Sequence, residues 1–112
     1  MSTKSIHVAF ATPLLEKNFE RLKQGTFEEQ QLYASLEHAI EILKLNPMYG
    51  KKIPRRLWPR SYTKRYQLTN LWKYNLPKAW RMIYTIYEDK VMILNVILDW
   101  FPHKEYERVF NY

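Results

Sequence analysis

The side chains able to do chemistry in this 112-residue chain are three histidines and eighteen lysines and arginines, with no cysteine at all. Without a thiol there is no thiol nucleophile, no thiolate-bound zinc and no disulfide scaffold. The sequence shows no Ser-His-Asp triad, no phosphate-cradling glycine loop and no pair of catalytic carboxylates. What remains is proton transfer by imidazole and the handling of negative charge by Lys and Arg. An imidazole gives or takes a proton near neutral pH, and His103 is the acid/base candidate, with Tyr106 one helical turn on. His7 and His38 read as ordinary polar residues. Arg81 stands alone among Trp80, Met82 and Ile83, and a planar guanidinium matches phosphate oxygens two at a time.

The charge around these residues is unevenly distributed. All eleven acids lie outside residues 42–87 and eleven basic residues lie inside, so that window carries +11 and the remainder −4 against a total of +7. Nine of the thirteen Tyr and Trp fall between Tyr49 and Tyr87. Cations neutralise phosphates while aromatic faces stack on unpaired bases, so the window suits a phosphate polymer. Trp58 and Tyr62 either stack on bases or, for Trp58, form a plug over a helical hairpin.

The elements that must position these residues follow from periodicity. Ile6, Val8 and Phe10 alternate with His7 and Ala9 as a half-buried strand. Thr12-Pro13 opens a helix whose Leu15, Phe19 and Leu22 share one face, and Gln24-Gly25 closes it. Thr26-Phe27-Glu28-Glu29 is a capping box for a second helix with Leu32, Leu36, Ala39/Ile40 and Leu43 on one side, stopped by Asn46-Pro47. Residues 47–65 show no steady period and read as a long basic excursion. Tyr66–Leu71 leads into a strand at Trp72–Leu76, a second strand covers Ala79–Tyr87, and Glu88-Asp89-Lys90 turns into Val91–Leu98. That last run reads as a strand buried on both faces and central in the sheet. Pro102 starts a short helix over His103–Phe110. The expected fold is α+β in the order β-α-α-β-β-β-α, a helical hairpin on a small antiparallel sheet with a short C-terminal helix. A single domain over 1–112 is expected. With no apolar signal core in MSTKSIHVAF and no run long enough to span a bilayer, the expectation is a soluble cytoplasmic chain with no membrane partner.

The run LWKYNLPKAWRMIYTIYEDKVMILNVILDWFPHKEYERVF resembles the C-terminal half of RelE/ParE-superfamily toxins. The likeness lies in the element Trp80-Arg81-Met82-Ile83-Tyr84 before a buried strand, and in the tail His103-Lys104-Glu105-Tyr106. The preceding helical hairpin agrees with it. The resemblance implies a type II toxin that cuts mRNA, at the ribosome, as a metal-independent endoribonuclease. It needs no cofactor or metal, and a tightly bound cognate antitoxin silences it. Operator DNA would be a partner only for the toxin–antitoxin complex. In such chemistry the 2′-OH attacks the adjacent phosphate, leaving a cyclic phosphate and a 5′-OH.

Within that resemblance Arg81 holds the scissile phosphate, His103 moves the proton, Tyr106 stacks on a base, donates a proton or packs in the core beside Phe110, and Lys73 stabilises the phosphorane. RelE proper carries two lysines at alternate positions of the Lys73 strand, and here those places hold Trp72 and Tyr74. This departure points to the histidine-using branch of the family. Lys104 and Arg108 flank the site and either supply the missing charge or form a solvated helix face. Lys51, Lys52, Arg55, Arg56, Arg60, Lys64 and Arg65 are expected to grip RNA without reading its sequence. Asp99 is expected to cap the last turn or orient His103. The alternatives within the same resemblance are a ParE-like toxin that poisons gyrase and a RelE-like RNA-binding protein that has lost its activity.

Overall fold

Two N-caps start the helical hairpin where the sequence places them. In the computed structural model, which describes residues 3–110, the Thr12 hydroxyl accepts from the Leu15 N–H at 3.1 Å and Pro13 fills the first position of α1 (Pro13–Arg21). The capping box at Thr26 and Glu29 is complete, with bonds of 3.2 and 2.9 Å, and opens α2 (Phe27–Leu45). The helices bury Phe19, Leu22, Leu32, Leu36, Ala39 and Leu43 against one face of a five-stranded sheet.

The sheet consists of β1 (Ser5–Phe10), β2 (Lys51–Lys52), β3 (Trp72–Leu76), β4 (Trp80–Glu88) and β5 (Met92–Pro102), in the spatial order β1-β5-β4-β3-β2. The three C-terminal strands form the expected antiparallel meander. The N-terminal strand adds to it in parallel, Ser5–Phe10 alongside Met92–Ile97, so the sheet is mixed. Parallel neighbours cannot be joined by a tight turn, and here the chain between β1 and β5 runs through the helical hairpin, the basic excursion, β3 and β4. As expected, the run starting near Val91 lies inside the sheet, between β1 and β4, but it extends beyond Leu98 to Pro102 and carries an irregularity. Ile83 pairs with Asp99 while Tyr84 pairs with Ile97, so Leu98 is an extra residue, a β-bulge.

The basic excursion is more ordered than its lack of period suggests. It holds the two-residue edge strand β2, a 3₁₀ turn at Arg55–Leu57 and a six-residue helix α3 (Arg60–Arg65). Together with α4 (His103–Phe110) it covers the sheet face opposite the hairpin, burying Ile53, Tyr62, Leu71, Ile83, Leu98, Phe101, Tyr106 and Phe110. Trp58 packs into this second cluster, its indole N–H donating to the Ile53 carbonyl at 2.9 Å, and not over the helical hairpin. Tyr62 is 8% exposed, so its ring is core and is not open to a base. The excursion stays aperiodic in sequence because three short pieces of different period follow one another, each dictated by what it covers.

One buried hydroxyl ties the excursion to the sheet. Tyr84 on β4 is fully buried, donates to the Pro47 carbonyl at 3.1 Å and accepts from the Gly50 N–H at 3.0 Å. A Cβ at Gly50 would lie 2.5 Å from the Lys73 carbonyl oxygen, so only glycine lets this segment approach β3 so closely. Burial pushes the Tyr84 hydroxyl up to about 12, against the smaller opposing pull of the Gly50 amide. A raised phenol favours the fold below the ordinary tyrosine value of 10, and that contribution is lost as pH rises from there through about 12. Tyr84→Phe leaves two buried backbone groups unpaired, and a loss of about 1–3 kcal/mol is expected in urea unfolding at neutral pH. The same variant should lose stability less steeply than wild type in alkali. Equal midpoints at neutral pH would show that the hydroxyl is not the tie.

A candidate phosphate-binding and proton-transfer site

Alternation along β4 decides which way Arg81 points. Met82, Tyr84 and Ile86 enter the hairpin core with the half-buried Trp80, so Arg81, Ile83 and Thr85 face the α3–α4 side. The pairing of Trp80 with Pro102 places the end of β5 beside the start of β4, and α4 begins at the next residue. His103 therefore meets Arg81 across 22 residues of sequence, with Arg81 Nη2 at 3.3 Å from His103 Nδ1. Arg81 Nη1 donates to the Trp80 carbonyl at 3.1 Å. The other imidazole nitrogen, Nε2, lies 3.1 Å from a carboxylate oxygen of Glu107, one turn along the helix.

Lys73 lies on the same sheet face, opposite Ile83, while Asn75 is opposite Arg81. Its ammonium sits 5.0 Å from the centroid of the Tyr106 ring, and the His103 ring lies against that same ring at 6.1 Å. Tyr106 is 1% exposed and packed between Phe101 and Phe110, so it does not stack on a base and is not placed to donate a proton to one. It is instead the floor on which Lys73 and His103 rest, through cation–π and ring contacts. Trp72 and Tyr74 turn to the hairpin side, where both pack into the first core cluster. The places of the paired lysines are thus filled by core aromatics, while Lys73 alone faces Arg81's side.

Lys51 pairs directly across from Lys73, two like charges on adjacent strands. Such a pair is unfavourable in a sheet unless an anion lies between them. Lys52 is opposite Trp72, hence on the other face and away from Arg81. Arg55, Arg56, Arg60, Lys64 and Arg65 are all exposed. Arg56 and Arg60 lie beside Val109 at the C-terminal end of α4, where Tyr62 packs on Phe110 at 6.0 Å. That end is roughly 10 Å along the helix from His103. Arg55 and Arg65 stack over Trp58 and Tyr66 at 4.9 and 5.6 Å. Of the eleven basic residues in the 42–87 window, only Lys44 is ion-paired among the described residues, with Glu41 at 3.2 Å. Arg108 pairs with Glu105, and Lys104 is exposed, so the solvated-helix-face reading describes these two and neither supplies charge to Arg81.

Glu107 is the site residue that sequence reasoning missed; its signal was the i, i+4 spacing from His103. Asp99 was expected to cap the last turn or to orient His103. Its hydrogen bond instead goes to the Trp100 backbone N–H at 2.8 Å, and Glu107 takes the place beside the imidazole. Among the described residues no three or more His, Cys, Asp or Glu side chains are grouped to hold a metal ion. Among the described residues no helix is long and apolar enough to cross a membrane. A cleft of about 530 Å³ lined by Leu22, Leu32, Trp80 and Trp100 belongs to the hairpin face, opposite the Arg81 side chain. Comparison with protein-family models, with curated proteins and with solved structures returns no match for the chain.

Burial raises the Asp99 carboxyl above the ordinary 3.8, the nearby Glu105 adding to this and the Trp100 amide and Arg65 opposing it. The fold therefore favours protonated Asp99. Its contribution is complete below the ordinary carboxylate value and is lost as pH rises through the raised one. Asp99→Asn keeps the acceptor for Trp100 and removes the charge. Thermal melting should show the variant more stable than wild type at neutral pH, with the gain vanishing in acid. An equal gain at both ends would contradict the desolvation account.

Proposed function

We propose that the chain is a RelE/ParE-superfamily type II toxin of the histidine-using kind, acting in the cytoplasm as a metal-independent endoribonuclease on mRNA at the ribosome. The observation that carries this reading is the 3.3 Å contact between Arg81 and His103, which sets a phosphate-binding cation beside a proton-transfer group on an open face. Cleavage by 2′-OH attack needs a base, cations for the phosphorane and a proton for the leaving oxygen. His103 supplies the first. Arg81 and Lys73 supply the second, with Lys51 next to Lys73. Solvent reaches the exposed His103 and meets the third requirement. The exposed cations of the 55–65 segment extend the grip along the RNA backbone, which favours a polymer over a small substrate. A cognate antitoxin with acidic segments would cover the same unpaired charge.

Purified protein, incubated with RNA in the presence of EDTA and with or without ribosomes, is expected to yield fragments ending in cyclic phosphate. Arg81→Ala and His103→Ala should each reduce cleavage by roughly 10²-fold or more and relieve growth arrest in cells. Lys52→Ala, on the other face of the sheet, should leave the rate at the phosphate within a few-fold. Intact RNA in every condition would rule out the enzyme, and RNA retention without cutting would identify a binding protein built on the same surface.

A further inference from the structure

His103 is held at both ring nitrogens by groups of opposite hydrogen-bonding character. The guanidinium of Arg81, 3.3 Å from Nδ1, has only donors, and the carboxylate of Glu107, 3.1 Å from Nε2, has only acceptors. Both contacts are satisfied together when Nδ1 accepts and Nε2 carries the proton. We propose that Glu107 is a positioning residue that holds His103 as the Nε2–H tautomer, making Nδ1 the proton-accepting atom, and that Arg81 caps this lone pair until a phosphodiester draws the guanidinium away. The proposal rests on the ribonuclease reading and gives its base a substrate-operated gate.

The chemistry favours such an exchange. A guanidinium bound to an imidazole nitrogen makes one hydrogen bond to a neutral acceptor, whereas a phosphodiester offers two charged oxygens to the same fork. The charged groups around the imidazole are Arg81 from β4, Lys73 from β3, which contacts the same Tyr106 ring, and Glu107 and the adjacent Lys104 from α4 itself. Glu107 is the acid among them that touches the ring. Once Arg81 turns to the phosphate, Nδ1 is free to take the 2′-OH proton as the 2′-O–P bond forms and the P–O5′ bond breaks. The leaving oxygen takes a proton from water, and Glu107 balances the imidazolium that results, as carboxylate–imidazole pairs do elsewhere. Helical spacing alone brings Glu107 to the imidazole, since i and i+4 share one side of α4.

Imidazole nitrogen NMR of the free protein at mildly alkaline pH, combined with cleavage kinetics, tests each part. Wild-type His103 should show an unprotonated Nδ1 and a protonated Nε2. Inorganic phosphate should move the Nδ1 resonance in wild type and leave it unmoved in Arg81→Ala. Glu107→Ala should mix the two tautomers and lower kcat about tenfold with KM unchanged. Glu107→Gln, whose amide oxygen still accepts from Nε2–H, should keep the tautomer and recover part of the rate. A protonated Nδ1 in the free wild type, or Glu107→Ala with unchanged tautomer and kcat, overturns the positioning role. An Nδ1 resonance indifferent to phosphate overturns the gate. RNA left uncut by wild type refutes the ribonuclease reading alone, because the tautomers measured without RNA still decide the pairing.

Discussion

Everything in this molecule is arranged around β4, a strand with a neighbour on each edge and a packed layer on each face. Met82, Ile83, Tyr84, Thr85 and Ile86 are all buried, because the period of two sends alternate side chains into the hairpin core and into the α3–α4 core. A strand sealed on both faces leaves no position for an unpaired charge except at its ends. Arg81 occupies such an end, beside the start of α4, and that is why a guanidinium can remain half-exposed one residue from a fully buried methionine. A slip of one residue in this register would bring Arg81 into the hairpin core and expel Met82. The fold and the placement of the charge are therefore one constraint.

The bulge at Leu98 belongs to the same constraint. Opposite Tyr84 the strands are in one phase, and opposite Ile83 they are in the next, so Leu98 and Phe101 both join the α3–α4 core while Ile97 and Trp100 serve the hairpin side. Without the extra residue the alternation would set Phe101 and the start of α4 on the wrong side of β4. Asp99 sits at this irregularity, beyond the last β1 pairing at Phe10–Ile97. There it loses water without gaining a cation close enough to compensate, which is the origin of its raised carboxyl.

Unpaired positive charge is the second organising feature. Five of the eleven acids form ion pairs among the described residues, Glu20 with Lys23, Glu41 with Lys44, Glu88 with Lys4, Glu105 with Arg108 and Glu107 with His103. These are exposed pairs worth little individually. None of them engages Lys51, Lys73, Arg81 or the 55–65 cations, of which Arg65 lies near enough to Asp99 to pull its carboxyl down. Lys51 opposite Lys73 costs sheet stability, and the Tyr106 ring offsets part of that through its contact with the Lys73 ammonium. A surface of this kind costs folding energy in the free protein.

Sequence periodicity determined the elements themselves. The two caps at Thr12 and Thr26, the strand run at Ala79–Tyr87 and the helix begun at Pro102, with Tyr106 one turn beyond His103, are local signals, each read within a few residues of chain. The segregation of charge was equally legible, because it needs only a count. The excursion at 47–65 was not legible as structure, since β2, the 3₁₀ turn and α3 are each too short to establish a period and are shaped by the Tyr84 hydroxyl and the sheet face they cover. Nor could the chain order show that the first strand joins in parallel, that Trp72 and Tyr74 face away from Arg81, or that Tyr106 is a floor and not a stacking surface. Those are decided by strand register and by a one-residue bulge, and register depends on pairing between residues far apart in the chain. Helical spacing sets Glu107 beside His103, but the meeting of Arg81 with His103 belongs to the tertiary structure for the same reason: the strand pairing of Trp80 with Pro102, 22 positions apart, brings those two side chains together.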